Sequence, residues 1–271
     1  MIFILGSRGR LGRALYKQLG AANVKCIERE VYANWAETDA TSSIIRYFSK
    51  HAPAESVICV CSGLLDPRLP PEQLHDINFK LPQNIIRTLA PLGFRTMTFG
   101  TAMEDTLTEN PYVQSKRLLS QLVQQMHGEA FQPTHVRIHT LYGADEPSPF
   151  MFLGQILTAV RSNTPFKMTL GRQLREYHHV DDDAVAIASL IERKISGVVK
   201  LSHGHPIRLR ELAEAIFQAF GKPHLLRVGA LPEPTQENFG EIFTPPETLN
   251  GMKFRDSIGA VVEYMKTLTN A

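Results

Sequence analysis

Tyr112 and Lys116 lie four positions apart in the run Tyr-Val-Gln-Ser-Lys, a spacing that puts both on one face of a helix. A lysine ammonium beside a phenol favours the phenolate and lowers its pKa. A tyrosine tuned in this way can exchange a proton with an alcohol or a ketone. Thr101 ends the apolar run that leads through Phe99 and Gly100, and its hydroxyl can hydrogen-bond the same carbonyl oxygen. Tyr-x-x-x-Lys alone is a common spacing, and by default it reads as a surface pair. The segment that opens the chain changes that weighing.

Gly6-Ser7-Arg8-Gly9-Arg10-Leu11-Gly12 follows an apolar strand and opens a helix. Gly6 permits the tight turn, Gly9 lets backbone approach a pyrophosphate, and Gly12 lets helix and strand pack closely. The helix N-terminus then offers unpaired N–H groups and the positive end of its dipole to phosphate. This is the pattern of a dinucleotide-binding domain. The second strand ends at Glu28 and Arg29. An acid there binds a ribose 2′-hydroxyl, as in NAD(H), whereas an arginine accommodates the 2′-phosphate of NADP(H). Arg8 and Arg29 lean toward NADP(H), Glu28 opposes it, and both cofactors stay open. Asp39 is a candidate adenine contact or a helix N-cap. Cys61 and Ser62, at the end of the third strand, fall on the cofactor edge of such a sheet.

The elements that must position these residues alternate. Strands are expected at 2–5, 24–27, 56–61, 95–99 and 134–141, and helices at 11–19, 42–50, 81–89 and 115–126. This rhythm implies an α/β fold, a doubly wound parallel Rossmann sheet with helices on both faces. After Gly143 the pattern loosens, with helices at 150–161 and 208–220 and a proline-rich stretch at 230–248. The expected organisation is a dinucleotide-binding domain over 1–146 and 178–203, and a smaller interleaved substrate lobe over 147–177 and 204–271.

The chain has 271 residues, 43% hydrophobic and 21% charged, with a formal net charge of +2. No polybasic run argues for nucleic acid or a membrane surface. Nothing resembling a signal peptide follows Met1, and no apolar run reaches the length of a membrane span. Cys26, Cys59 and Cys61 are sparse, odd in number and set in apolar runs, which fits a reducing, cytoplasmic setting.

These motifs resemble the short-chain dehydrogenase/reductase superfamily, and specifically its extended, nucleotide-sugar-modifying epimerase/dehydratase branch. Arg137 through Tyr142-Gly143 is similar to the family's strand ending in Tyr-Gly. Gly171 through Arg175, Tyr177, His179, Val180, Asp181 and Asp182 is similar to its Gly-x-x-x-Arg-Asp-Phe-x-His-Val-Asp-Asp segment. The stretch 197–212 resembles its asparagine-x-glycine turn and following helix, and Asn78 matches the asparagine placed after the fourth strand. The resemblance implies that Tyr112 is the acid/base, with Lys116 its activator and ribose ligand. It implies that Thr101 orients a sugar ketone, and that Tyr142 and Arg175 contact substrate, Arg175 at the diphosphate. Helices 81–89 and 115–126 are implied to pair across a twofold in a homodimer. The chain departs from the pattern in a short Thr101–Tyr112 segment and in Thr140, which stands where an asparagine is usual.

The branch contains dehydratases, epimerases and keto-reductases. Ala102 and Met103 follow Thr101 where a dehydratase needs an acid and a base; Glu104 and Asp105 lie one step further and stay open as candidates for those roles. The trimmed loop resembles reductases of the abequose/paratose-synthase and dTDP-4-dehydrorhamnose type, which serve polysaccharide biosynthesis. Reduction of a nucleotide-linked 4-keto-6-deoxysugar is the expected reaction. A 4-epimerase with bound NAD is the alternative, and a dinucleotide-binding sensor without turnover a further one. His178, His179 and Asp181 to Asp183 invite a metal reading, but adjacent strand residues face opposite ways. Asp181 or Asp182 is expected to cap a helix at 184–191, and no metal is expected. His139 is read as a satisfied core histidine and Trp35 as packing.

Overall fold

A computed structural model of the chain describes residues 1–106, 108–128 and 131–269. Along it run β1 (Ile2–Leu5), α1 (Arg10–Leu19), β2 (Val24–Ile27), α2 (Arg29–Tyr32), α3 (Thr41–Phe48) and β3 (Val57–Val60). There follow α4 (Pro71–His75), a π-helical turn over Asp76–Lys80, α5 (Leu81–Leu89), β4 (Arg95–Thr101), α6 (Pro111–Gln125) and β5 (Thr134–Ile138). Next come β6 (Thr140–Tyr142), α7 (Phe152–Ser162), β7 (Phe166–Lys167), β8 (Leu174–Arg175), β9 (Tyr177–His179), α8 (Val180–Glu192) and β10 (Gly197–Lys200). The last elements labelled are β11 (Ile207–Arg208), α9 (Leu209–Ala219), β12 (Leu226–Arg227) and α10 (Gly259–Thr269).

Two compact units emerge. The first comprises Met1–Ile138, Asp183–Leu201 and Pro246–Asn250, and the second His139–Asp182, Ser202–Pro245 and Gly251–Ala271. The first segment of the first unit therefore ends at Ile138 and not at 146. The cause is local: the strand expected over 134–141 breaks at His139. β5 pairs with β4 and β10 in one sheet, while β6 pairs with β9 in another.

In the first unit six strands form a sheet in the order β10-β5-β4-β3-β1-β2, and every pairing is parallel. β1 lies between β2 and β3, so the strand order reverses there, and a crevice opens beyond the strand ends at such a point. β3 is buried at all four positions, as a strand covered on both faces must be. One apolar cluster joins Phe3, Ile58, Ile85 and Leu89 with Trp35, which is 2% exposed. A second gathers Ile86 with Leu119, Leu122 and Val123 of α6.

The second unit is centred on α7, α9 and α10, whose Ile156, Phe217 and Met265 are fully buried in one cluster. α8 begins at Val180, so Asp181 and Asp182 lie inside the helix and do not cap it. The ring Nδ1 of His179 accepts the Asp181 N–H at 3.2 Å, taking the place expected for an aspartate. Among the described residues no helix is long and apolar enough to cross a membrane.

Candidate active site

The glycine turn is built by close approach. Gly6 has φ +77°, and a Cβ on it would stand 2.6 Å from the Ser62 nitrogen. A Cβ on Gly12 would stand 2.3 Å from the Gly6 oxygen. The turn is thus pressed against Cys61 and Ser62 at the end of β3, at the point where the strand order reverses. Gly9 flanks α1 with no side-chain cap, and the first turn holds no acidic residue. This helix start without a side-chain cap and the missing Cβ atoms fit a dinucleotide pyrophosphate. Ser7 and Arg10 are half-buried and Leu11 is buried, whereas Arg8, Glu28, Arg29 and Asp39 are exposed. Asp39 does not cap α3, whose flanking residue is Ala40. Sequence reasoning missed Tyr32, whose hydroxyl lies 3.2 Å from the Ser62 hydroxyl.

Thr101 ends β4, and α6 packs on that strand. The helix begins earlier than expected because Asn110 and Pro111 start it: the Asn110 side chain accepts the N–H groups of Tyr112 and Val113 at 2.9 and 3.4 Å. Tyr112 therefore sits in the first turn, and the Lys116 Nζ lies 6.0 Å from its ring centroid. Lys116 is only 5% exposed. Asn78 is fully buried and lies before β4, not after a fourth strand. Its amide bonds both the N–H and the carbonyl of Leu64 at 2.9 Å, which pins the loop after β3.

Burial pushes the Lys116 ammonium down to about 8, although Glu104 and Cys61 act to raise it. Burial also holds the Tyr112 phenol above the ordinary tyrosine value, and the Glu104 charge adds to this. The lowering of the Tyr112 pKa expected from Lys116 is thus not found, because burial and the Glu104 charge both disfavour the phenolate. Tyr112 stands as a neutral phenol.

Glu104 organises this end of the sheet. Its side chain is inaccessible and accepts the Thr101 N–H at 2.7 Å, the Arg137 Nε at 2.8 Å and the His135 Nε2 at 3.1 Å. Arg137 continues to Asp105 and to the Ser120 hydroxyl, both at 2.8 Å. A Cβ on Gly100 would fall 1.8 Å from the Glu104 Oε1, so only glycine leaves room for the carboxylate. Sequence reasoning missed this role of Glu104, although the Thr-x-x-Glu spacing of a capping box could have found it, since Thr101 and Glu104 form that box around the turn at Ala102–Asp105.

The two substrate residues implied by resemblance belong to the second unit. Tyr142 is 1% exposed in the apolar cluster, and its hydroxyl has no hydrogen-bond partner. It packs against His179 and Tyr264 and so presents no surface to a ligand, contrary to its expected role. The Arg175 guanidinium is already paired with Glu237. His139 has a side chain 6% exposed and lies 3.7 Å from Glu176, a buried position as expected.

Solved structures of similar fold include three with different chemistry. A dTDP-4-dehydrorhamnose reductase from Clostridium acetobutylicum is 17% identical, with 99% of each chain covered and a TM-score of 0.74. UDP-glucose 4-epimerase from Thermotoga maritima, with UDP-glucose, is 14% identical, with 99% of each chain covered and a TM-score of 0.75. DesIV, a dTDP-glucose 4,6-dehydratase from Streptomyces venezuelae with NAD bound, is 14% identical over 99% of this chain and 97% of its own, with a TM-score of 0.77. At these identities the likeness establishes the fold. No curated protein sequence matches the chain. The model of the NAD dependent epimerase/dehydratase family matches residues 2–201, which span the glycine turn, Thr101, Tyr112 and Lys116, and the chain belongs to that family of enzymes.

Proposed function

We propose that the chain reduces the keto group of a nucleotide-linked 4-keto-6-deoxysugar with NADP(H) or NAD(H). The observation that carries this reading is the placement of Tyr112 beside Lys116 on the helix that packs against the strand ending in Thr101, with burial raising the phenol pKa and keeping it protonated. A neutral phenol is the form that gives a proton to a carbonyl oxygen. Ala102 and Met103 bring no second acid or base, and Glu104 is held within its own network.

When bound, a reduced nicotinamide supplies the hydride to the carbonyl carbon. Gly6 to Gly12 and the first turn of α1 hold the pyrophosphate, and Lys116 bonds the ribose. Thr101 donates a hydrogen bond to the ketone oxygen and orients it. Tyr112 delivers its proton to that oxygen as negative charge develops there, and the adjacent Lys116 ammonium favours the phenolate left behind. Arg175 is the proposed diphosphate contact, at the cost of exchanging Glu237 for phosphate. A homodimer through α5 and α6 belongs to the same proposal. It is supported by Leu118, which is 40% exposed on α6, and gel filtration checks it.

The test mixes the purified chain with NADPH or NADH and a panel of nucleotide-linked 4-keto-6-deoxysugars, following absorbance. Stoichiometric oxidation of added cofactor supports the proposal. Sugar isomerisation with the dinucleotide retained on the protein replaces it with a 4-epimerase. Dinucleotide binding without turnover of either kind replaces it with a sensor.

A further inference from the structure

The buried Glu176 carboxylate of the second unit accepts four hydrogen bonds and has the imidazoles of His139, His178 and His203 beside it. Its side chain is inaccessible. Oε1 accepts the Ser202 hydroxyl at 2.6 Å and the Gly204 N–H at 3.2 Å. Oε2 accepts the His203 N–H at 2.8 Å and the His178 Nε2 at 2.9 Å. The His203 ring then brings Nδ1 to 3.5 Å from the same Oε2.

The hydrogen-bond partners assign the His203 tautomer. The Ser257 hydroxyl gives its one proton to the Tyr177 carbonyl at 3.1 Å, so at 3.1 Å from the His203 Nε2 it can only accept. Nε2 carries the ring proton, and Nδ1, which accepts the His205 N–H at 3.1 Å, carries a lone pair. The unprotonated His203 Nδ1 therefore stands 3.5 Å from the Glu176 Oε2 within the buried cluster.

We propose that Glu176, His178 and His203 form a binding site for a divalent transition metal of the zinc class. The ligand atoms of all three lie within 4.8 Å of one another. Bond lengths of about 2.0–2.2 Å place neighbouring ligand atoms of tetrahedral zinc roughly 3.4 Å apart, and the two separations from Oε2 are 2.9 and 3.5 Å. Two imidazoles and a carboxylate suit zinc and its neighbours. The bond from His203 to Ser257 is the outer contact that fixes the tautomer of a ligating histidine, and Phe254 closes an apolar wall, 5.2 Å from the His178 ring and 5.8 Å from the His203 ring. Ligation needs the lone pairs of His178 Nε2 and His203 Nδ1, so metal entry displaces the proton that His178 shares with Glu176 and the His205 N–H that Nδ1 accepts. The site lies wholly in the second unit and is independent of the proposed reaction.

The experiment strips the full chain with a chelator, adds Zn2+, removes unbound metal and counts bound metal by mass spectrometry. About one zinc per chain is expected, with a raised thermal midpoint. His178→Gln and His203→Gln are expected to abolish retention, Ser257→Ala to weaken binding roughly 10–100-fold, and His224→Gln to leave it unchanged. In the unsubstituted chain, zinc is expected to shift the NMR ring signals of His178 and His203, so the test survives a variant that fails to fold. Absence of retained zinc, cobalt and nickel overturns the proposal. So does zinc that stays bound in both histidine variants or leaves those two ring signals unmoved.

Discussion

The Glu104 carboxylate accepts the backbone N–H of Thr101 at 2.7 Å, so a fully buried charge sets where the Thr101 hydroxyl stands. The same carboxylate holds Arg137. Glu104→Ala removes one partner of a buried ion pair and is expected to cost about 3–5 kcal/mol in a denaturant titration. Glu104→Gln keeps an acceptor for the Thr101 N–H and is expected to lose less stability and to retain more turnover. An alanine variant as stable as the unsubstituted chain would contradict this account.

Gly100 gives an independent reading of the same contact. A Cβ there would stand 1.8 Å from Glu104 and 2.3 Å from His135. Gly100→Ala is therefore expected to lower stability by at least about 1–3 kcal/mol, the range for overpacking, measurable as a lower thermal midpoint.

Tyr112→Phe is expected to lower kcat roughly 100- to 10,000-fold, the share of a positioned general acid. Its dinucleotide affinity, read by fluorescence titration, should be unchanged. A variant that loses both would show that Tyr112 acts in binding.

Burial lowers the Lys116 pKa to about 8 from the ordinary lysine value of 10.5. Between those values the unfolded chain binds more protons than the folded one, so the contribution of this group to stability rises with pH across that window. At pH 7 the charged, buried lysine costs roughly 3 kcal/mol. Lys116→Met is expected to be more stable than the unsubstituted chain below pH 8, and the advantage should shrink as pH rises toward 10.5. Paired unfolding titrations at three pH values check the sign.

Arg8 and Arg29 are exposed and are the proposed contacts to the 2′-phosphate of NADP(H). Each alanine substitution is expected to raise KM for NADPH roughly 10-fold, as loss of one charge-assisted hydrogen bond would, and to leave KM for NADH unchanged. Equal effects on both cofactors would assign these residues to the pyrophosphate.

The doubly wound sheet was legible because its signals are local. Each strand is a short apolar run, each helix an amphipathic one, and the turn at Gly6 needs no information beyond its glycine spacing. Tyr112 and Lys116 were legible for the same reason, since helical periodicity alone puts them on one face. The capping box of Thr101 and Glu104 was written in the chain as well, although its weight depends on Arg137 and His135, which arrive from another strand.

What the sequence by itself determined is therefore the parallel sheet, its phosphate-binding turn and the tyrosine–lysine helix, all set by contacts a few residues apart. Only the tertiary structure decided that the run through His139 splits between two sheets. It alone decided that His179, and not an aspartate, caps α8, that Tyr142 is packed away, and that Glu176 meets His203. Those outcomes depend on which strand pairs with which and on what desolvation does to each charge. Both are set by residues distant in the chain that become neighbours only when the core closes.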